Sequence, residues 1–232
     1  MKLLSLSLIV FSLLSCQAGN PTSSEETLPY VDSLPGAQKK NTVTNIKTDP
    51  KINPLETPFQ GELRISASWT DKNGSNTLII SGKDAVNDEN AELFAYLYVT
   101  QAGKTEKLWQ ITDFVNGPCD RDIYLVPNSL EIVDLDEDGI AENLFMYILA
   151  DNCDASPVST KLMMHSGETK LVIRGLTKTF LLPTPEVMAE AKKPDPAFDL
   201  AKPIFKVYAS GKWDAYVEKE TNEFHSAMGT EN

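Results

Sequence analysis

Leu63-Arg64-Ile65-Ser66-Ala67-Ser68-Trp69 alternates apolar and polar residues, Asp71-Lys72-Asn73-Gly74 interrupts the pattern, and Thr77-Leu78-Ile79-Ile80 resumes it as a β-rich apolar run. A period of two puts every second side chain on one face of a strand, so one face of Leu63 to Trp69 can meet a core while the other stays wet. The Asn-Gly pair between two such runs predicts a hairpin, because both residues tolerate positive φ. Further on, Leu93 to Thr100 turns at Gln101-Ala102-Gly103-Lys104 and returns as Lys107 to Phe114, with Phe94, Tyr96, Tyr98 and Trp109 as strand-type aromatics. Asp122 to Val126, Ser129 to Val133, Asn143 to Leu149, Thr160 to His165 and Lys170 to Arg174 are further strands, the last two joined at Ser166-Gly167-Glu168-Thr169. Nothing alternates strand with helix in the way a parallel sheet demands. The expected fold is therefore mainly β, an antiparallel meander or sandwich, with its strands between residues 59 and 182.

Residues 183–220 carry helical signals instead. Thr184-Pro185-Glu186 supplies a cap, a first-turn proline and an early acid, and opens a short helix that must end before Pro194. Asp195-Pro196 repeats that opening. Phe205, Tyr208, Ala209, Trp213, Tyr216 and Val217 then fall at helical spacing, which predicts an amphipathic helix from about Pro203 to Glu218 packed on the sheet, weakened at Gly211. Residues 221–232 are expected to fray as a tail.

Ahead of the strands, residues 1–15 place one lysine before an apolar and serine run, the shape of an export signal. Leu13-Leu14-Ser15-Cys16 resembles the bacterial lipobox, in which the cysteine is lipidated and becomes the mature N-terminus. Cys16 would then tether the protein to a membrane, and Gln17 in place of an aspartate favours the outer membrane, with either face open. Residues 16–58, rich in Pro, Ser, Thr and Asn, are expected to be a flexible linker, the alternative being a short arm packed on the domain through Leu28, Tyr30 and Val31. The whole chain has 33 acids against 21 Lys and Arg, a formal charge of −12, which argues against nucleic acid as a partner.

Between the strand patterns lies Asp134-Leu135-Asp136-Glu137-Asp138-Gly139-Ile140-Ala141-Glu142. Carboxylates at its first, third, fifth and ninth places, with glycine at the sixth, suit a loop wrapped around a hard cation such as Ca²⁺. Asp134, Asp136 and Asp138 would each give an oxygen, Ile140 its backbone carbonyl, and Glu142 a direct or water-mediated ligand. The acid expected at the twelfth place of an EF-hand is absent, since Phe145 stands there, and the flanks are strand-like. The pattern is closer to the D-x-D-x-D-G-x-x-[DE] loops of FG-GAP repeats. One such loop without any repeat disfavours a propeller. The competing reading is an acidic turn with no ion, whose carboxylates repel one another.

Cys119 and Cys153 flank this loop, and an exported pair is usually oxidised; a bridge would enclose the whole acidic stretch. Two free thiols are the alternative. No G-x-S-x-G accompanies His165 or His225, and His165 lies inside a strand pattern, which points to a structural role. Many acids could be paired for glycoside hydrolysis, but nothing selects a pair.

Trp69 to Asn76, Lys107 to Phe114, Val133 to Tyr147, Ser156-Pro157-Val158, Lys161 to Met164, Ile173-Arg174-Gly175 and Lys212-Trp213, taken in order, resemble an uncharacterised family of Bacteroidetes lipoproteins and secreted proteins. Some members carry the label "surface polysaccharide biosynthesis protein". The resemblance implies an envelope protein, with cysteines at the places of Cys119 and Cys153. It carries no mechanism to particular residues. The function expected is a lipid-anchored, calcium-stabilised binding or assembly module, partnered by surface glycan or an envelope protein, more in keeping with binding than catalysis. The alternative is a hydrolase or transferase acting on polysaccharide through acidic residues.

Overall fold

The computed structural model describes residues 43–86, 90–117, 121–151, 158–178 and 192–227, and these form two antiparallel sheets with helices at the C-terminal end. The first sheet is a meander of five strands in chain order: β1 (Thr44–Thr48), β2 (Glu62–Asp71), β3 (Gly74–Lys83), β4 (Ala91–Gln101) and β5 (Lys104–Val115). The second contains β6 (Asp122–Leu125), β7 (Glu131–Val133), β8 (Glu142–Ala150), β9 (Val158–Ser166), β10 (Thr169–Lys178) and β11 (Lys193–Pro194). Its order is β11-β10-β9-β8-β6, with β7 also paired to β8. Two helices follow, α1 (Ala197–Leu200) and α2 (Pro203–Ala227). The mainly β, antiparallel expectation with a C-terminal helix is borne out.

Side-chain alternation distributes the apolar residues over three interfaces. Trp69, Leu78, Ile80 and Leu97 of the first sheet meet Phe145, Tyr147, Met163 and Val172 of the second. The opposite face of the second sheet, with Leu144, Met146, Leu162, Met164, Leu171 and Ile173, packs on Phe198, Phe205, Ala209 and Trp213 of the helices. The second sheet is thus buried on both sides. On the outer face of the first, Phe94, Tyr96 and Tyr98 stack in a row beside Ile79, under Ile52 and Phe59.

That third interface corrects the expected linker. Residues 43–58 are not a spacer: β1 pairs with β2 along the sheet edge, and the segment after it lies across the aromatic row. The Tyr98 hydroxyl donates to the Pro58 carbonyl, and the Gln60 amide donates to the Tyr96 hydroxyl at 3.2 Å. Composition concealed this because β1 is exposed along its whole length and gains its place through backbone hydrogen bonds. The rest of the expected linker, with Cys16 and the 1–15 signal, lies outside the described residues. So do Cys119 and Cys153, and the helix expected from Thr184.

The first hairpin forms where expected but turns differently. Asp71 pairs with Gly74, so Lys72 and Asn73 make the bend, and of these only Gly74 has positive φ, at 123°. A Cβ there would meet the Thr100 carbonyl oxygen at 2.5 Å, so β4 requires the glycine. At the other end of the chain, α2 extends past Glu218 into the expected tail. Gly211 has open space where a Cβ would stand, so its cost is one of helix propensity, about 1 kcal/mol. No helix among the described residues is long and apolar enough to cross a membrane.

Candidate metal centre

The acidic stretch joins β7 to the start of β8, and its backbone is folded by its own aspartates. Asp134 accepts from the Gly139 amide at 3.1 Å, Asp136 from the Asp138 amide at 3.1 Å, and Asp138 from the Ile140 amide at 2.8 Å. The tight course needs left-handed backbone at Glu137 and Gly139, with φ of 61° and 89°. Glycine meets that demand at 139 without strain, and the bonds of the neighbouring aspartates hold Glu137 in it.

These turns gather one carboxylate oxygen from each of Asp134, Asp136 and Asp138 to within 4.8 Å of one another. Oxygens on opposite sides of a Ca²⁺ ion, each at about 2.4 Å, stand about 4.8 Å apart, so the spacing fits a single ion of that class. Exposed acidic groups also cluster without any ion. Ile140 is half-buried beside them, with its amide turned to Asp138. Glu137 is exposed, whereas Ala141 leaves the loop for the core between the sheets.

Glu142 does not join the three aspartates. Its side chain turns inward, where one oxygen accepts from the Leu135 amide at 2.8 Å and the other from the Ser166 hydroxyl at 3.0 Å. It is 1% exposed. Burial pushes its carboxyl up to about 7 against the two hydrogen bonds, and the charges of Asp136 and Asp138 push the same way. As the first residue of β8, paired with Val133 of β7, Glu142 takes its place from the sheet, and both faces of that strand are buried. The sequence signal was present, since an acid opening the apolar run Leu144 to Leu149 has to find polar partners indoors.

The loop is also where three layers of the molecule meet. Lys72, at the tip of the β2–β3 hairpin, donates its backbone amide to the Gly139 carbonyl at 2.9 Å and its Nζ to the Asp138 carbonyl at 2.9 Å. Asp71 accepts from the Ala141 amide at 3.2 Å and from Trp69 Nε1 at 2.8 Å. From the helical layer, Lys202 pairs with Asp136, whose side chain is only 5% exposed. The first sheet, the second sheet and the approach to α2 are thereby tied to nine consecutive residues. The aspartates are visible in the sequence but this role is not, because Asp71, Lys72 and Lys202 lie 66 to 70 residues from their partners in the loop and only folding brings them in.

His165, expected to be structural, is 2% exposed and stacks on Trp109 with ring centroids 4.0 Å apart. Burial pushes its imidazole down to about 3, helped by Lys170, so it is neutral near pH 7. No nucleophile stands hydrogen-bonded to it among the described residues. Comparison with protein-family models, curated proteins and solved structures gives no match to this chain.

Proposed function

We propose that this chain is an exported envelope protein, lipid-anchored through Cys16 at the outer membrane, that serves as a binding or assembly module and not as an enzyme. Calcium bound by Asp134, Asp136 and Asp138, with the Ile140 carbonyl and water completing the shell, would hold its layers together. The observation that carries this reading is the gathering of three carboxylates within 4.8 Å in a loop bonded to the β2–β3 hairpin and to Lys202. A divalent ion there would add to the positive charge of Lys202 among the five carboxylates of residues 134–142, at the junction of both sheets and the helix. Glu142 is reassigned from ligand to a buried support for the Leu135 amide. The link to surface polysaccharide rests on the resemblance to Bacteroidetes envelope proteins, and a disulfide between Cys119 and Cys153 rests on export of the pair, with the resemblance in support.

The hydrolase alternative requires two facing carboxyls in a cleft, one of them protonated near neutral pH. Among the described residues, the carboxyl that burial raises into that range is Glu142, which is 1% exposed and held by the Leu135 amide and the Ser166 hydroxyl. Binding therefore accounts for the site better than catalysis.

Isothermal titration tests the reading directly. Calcium should bind the wild-type chain at one ion per chain, and Asp136→Ala should abolish that heat. A wild type that takes up no calcium in the millimolar range would overturn the proposal. A deletion strain with altered capsule or lipopolysaccharide composition would support the envelope role, and one with unchanged surface glycan would count against the polysaccharide link.

A further inference from the structure

On the face of the second sheet that turns toward the first, β9, β10 and β11 carry three cations in one cross-strand row. Lys161 pairs in register with Arg174, and Arg174 with Lys193. Met163 and Val172, two residues along the same strands, pack against the first sheet, so alternation puts Lys161 and Arg174 on that face. Lys193 joins them as the direct partner of Arg174. Lys170, two residues to the other side of Val172, shares the face. The first sheet ends at β5, whose Asp113 reaches Tyr147 of β8 and Lys161 of β9. On the two strands beyond, Lys170, Arg174 and Lys193 are exposed.

Such a row is costly on its own. Adjacent strands stand about 4.8 Å apart, and like charges directly opposite one another destabilise a sheet. Two acids offset part of the charge, and both are shared. Asp113 accepts from the Tyr147 hydroxyl and the Phe114 amide as well as from Lys161. Asp195 accepts from the Ala197 amide, and meets one nitrogen of Arg174 at 3.3 Å. A close charge-assisted bond is shorter, at roughly 2.7–2.9 Å. Lys170 and Lys193 have no ion pair among the described residues. The patch is therefore left positive, on a chain whose formal charge is −12.

We infer that this row binds a small oxyanion, a carboxylate or phosphate group seated between Arg174 and Lys193. An oxyanion there supplies the negative charge that neither acid gives Lys193, and the guanidinium keeps donors beyond the one spent on Asp195. The gap of one strand spacing suits a group whose oxygens bond both cations at once. The whole row spans two such spacings, about 10 Å, which limits the site to one or two anionic groups. A polyanionic surface fits less well. It meets the repulsion of the chain's whole net charge, whereas a small anion feels chiefly the charges within a Debye length of about 8–10 Å.

The test is isothermal titration of the full chain in calcium-free, low-salt buffer with inorganic phosphate and with citrate, and with phosphatidylglycerol vesicles as the polyanionic surface. At least one of the two small anions should bind at one per chain in the millimolar range, and more weakly as sodium chloride is added. Lys193→Gln should weaken binding about threefold or more with the melting midpoint unchanged, and Lys193→Arg should keep it. Asp195→Asn, which removes the acid competing for Arg174, should tighten it about threefold. Lys219→Gln, which removes a charge from α2 on the other side of the second sheet, should leave it unchanged. Absence of binding to both small anions, affinity indifferent to Lys193→Gln, an equal loss in Lys219→Gln, or uptake by the vesicles alone would each overturn the inference. Because no calcium is present in this titration, any of these failures leaves the cation proposal standing.

Discussion

The two sheets share a common core, yet their outer faces are covered in opposite ways. The second sheet is roofed by a helix that delivers Phe205, Ala209 and Trp213 as one stripe against β8, β9 and β10. The first is crossed by a short irregular segment whose apolar contribution is Ile52 and Phe59, supplemented by hydrogen bonds to tyrosine hydroxyls. Strand sequences register this difference. Leu144 to Leu149 is apolar at every position because both faces of β8 are indoors, whereas β2 alternates because its outward face, apart from the buried Ser66, is only partly covered. β4, with Leu93 to Val99 apolar throughout, belongs to the first sheet but reads like the second, and its second face is the one the segment covers. A continuous apolar run is therefore a statement that something lies on the far side.

If the helical roof carries more of the stability than the segment, truncating its largest buried side chain should hurt most. Trp213 is 1% exposed, and Trp213→Ala should destabilise by about 3–5 kcal/mol, read from the urea midpoint. At the opposite extreme, Tyr98→Phe removes the bond to Pro58 while keeping the ring, and should cost about 1 kcal/mol or less.

Between these two lie the buried ionisable groups, one on each face of the second sheet. His165, between the sheets, is held neutral down to about pH 3, well below its ordinary 6.5. The unfolded chain binds that proton first, so the histidine's contribution is present above pH 6.5 and is lost as pH falls toward 3. His165→Phe, which keeps a ring against Trp109, should lose less stability than wild type between pH 6 and pH 4, by a few kcal/mol at most. Glu142, on the helical face, behaves oppositely. Its carboxyl is raised from 4.5 to about 7, so its contribution is complete below pH 4.5 and disappears as pH rises through 7. In chelator, Glu142→Gln should match wild type near pH 4 and exceed it near pH 8 by up to about 3 kcal/mol. Equal pH slopes for variant and wild type would contradict the inward placement of that carboxyl.

What could be read from the chain beforehand follows the physics of each element. Strands with a buried face announced themselves by period, and the helix announced its stripe at Phe205, Ala209 and Trp213, because burial selects side chains at fixed intervals. β1 and β11 did not. Thr44–Thr48 is exposed throughout, and Lys193–Pro194 is a two-residue edge; both exist through backbone pairing, which leaves no composition behind. The aspartates of the loop were legible as a cluster because a tight turn brings side chains spaced two residues apart to one place. The inward turn of Glu142 was not legible, because the same spacing rule does not know that β8 begins there and its partner Ser166 comes from β9.

Thermal unfolding with and without calcium tests most directly whether the acidic loop is a cation-held joint between the layers. For an affinity of about 10⁻⁴ to 10⁻³ M, 10 mM calcium should stabilise by about 1.4–2.7 kcal/mol, seen as a rise of several degrees in Tm over chelator. Asp136→Ala should abolish the rise. A wild-type melting curve that calcium and chelator leave in the same place would contradict the claim.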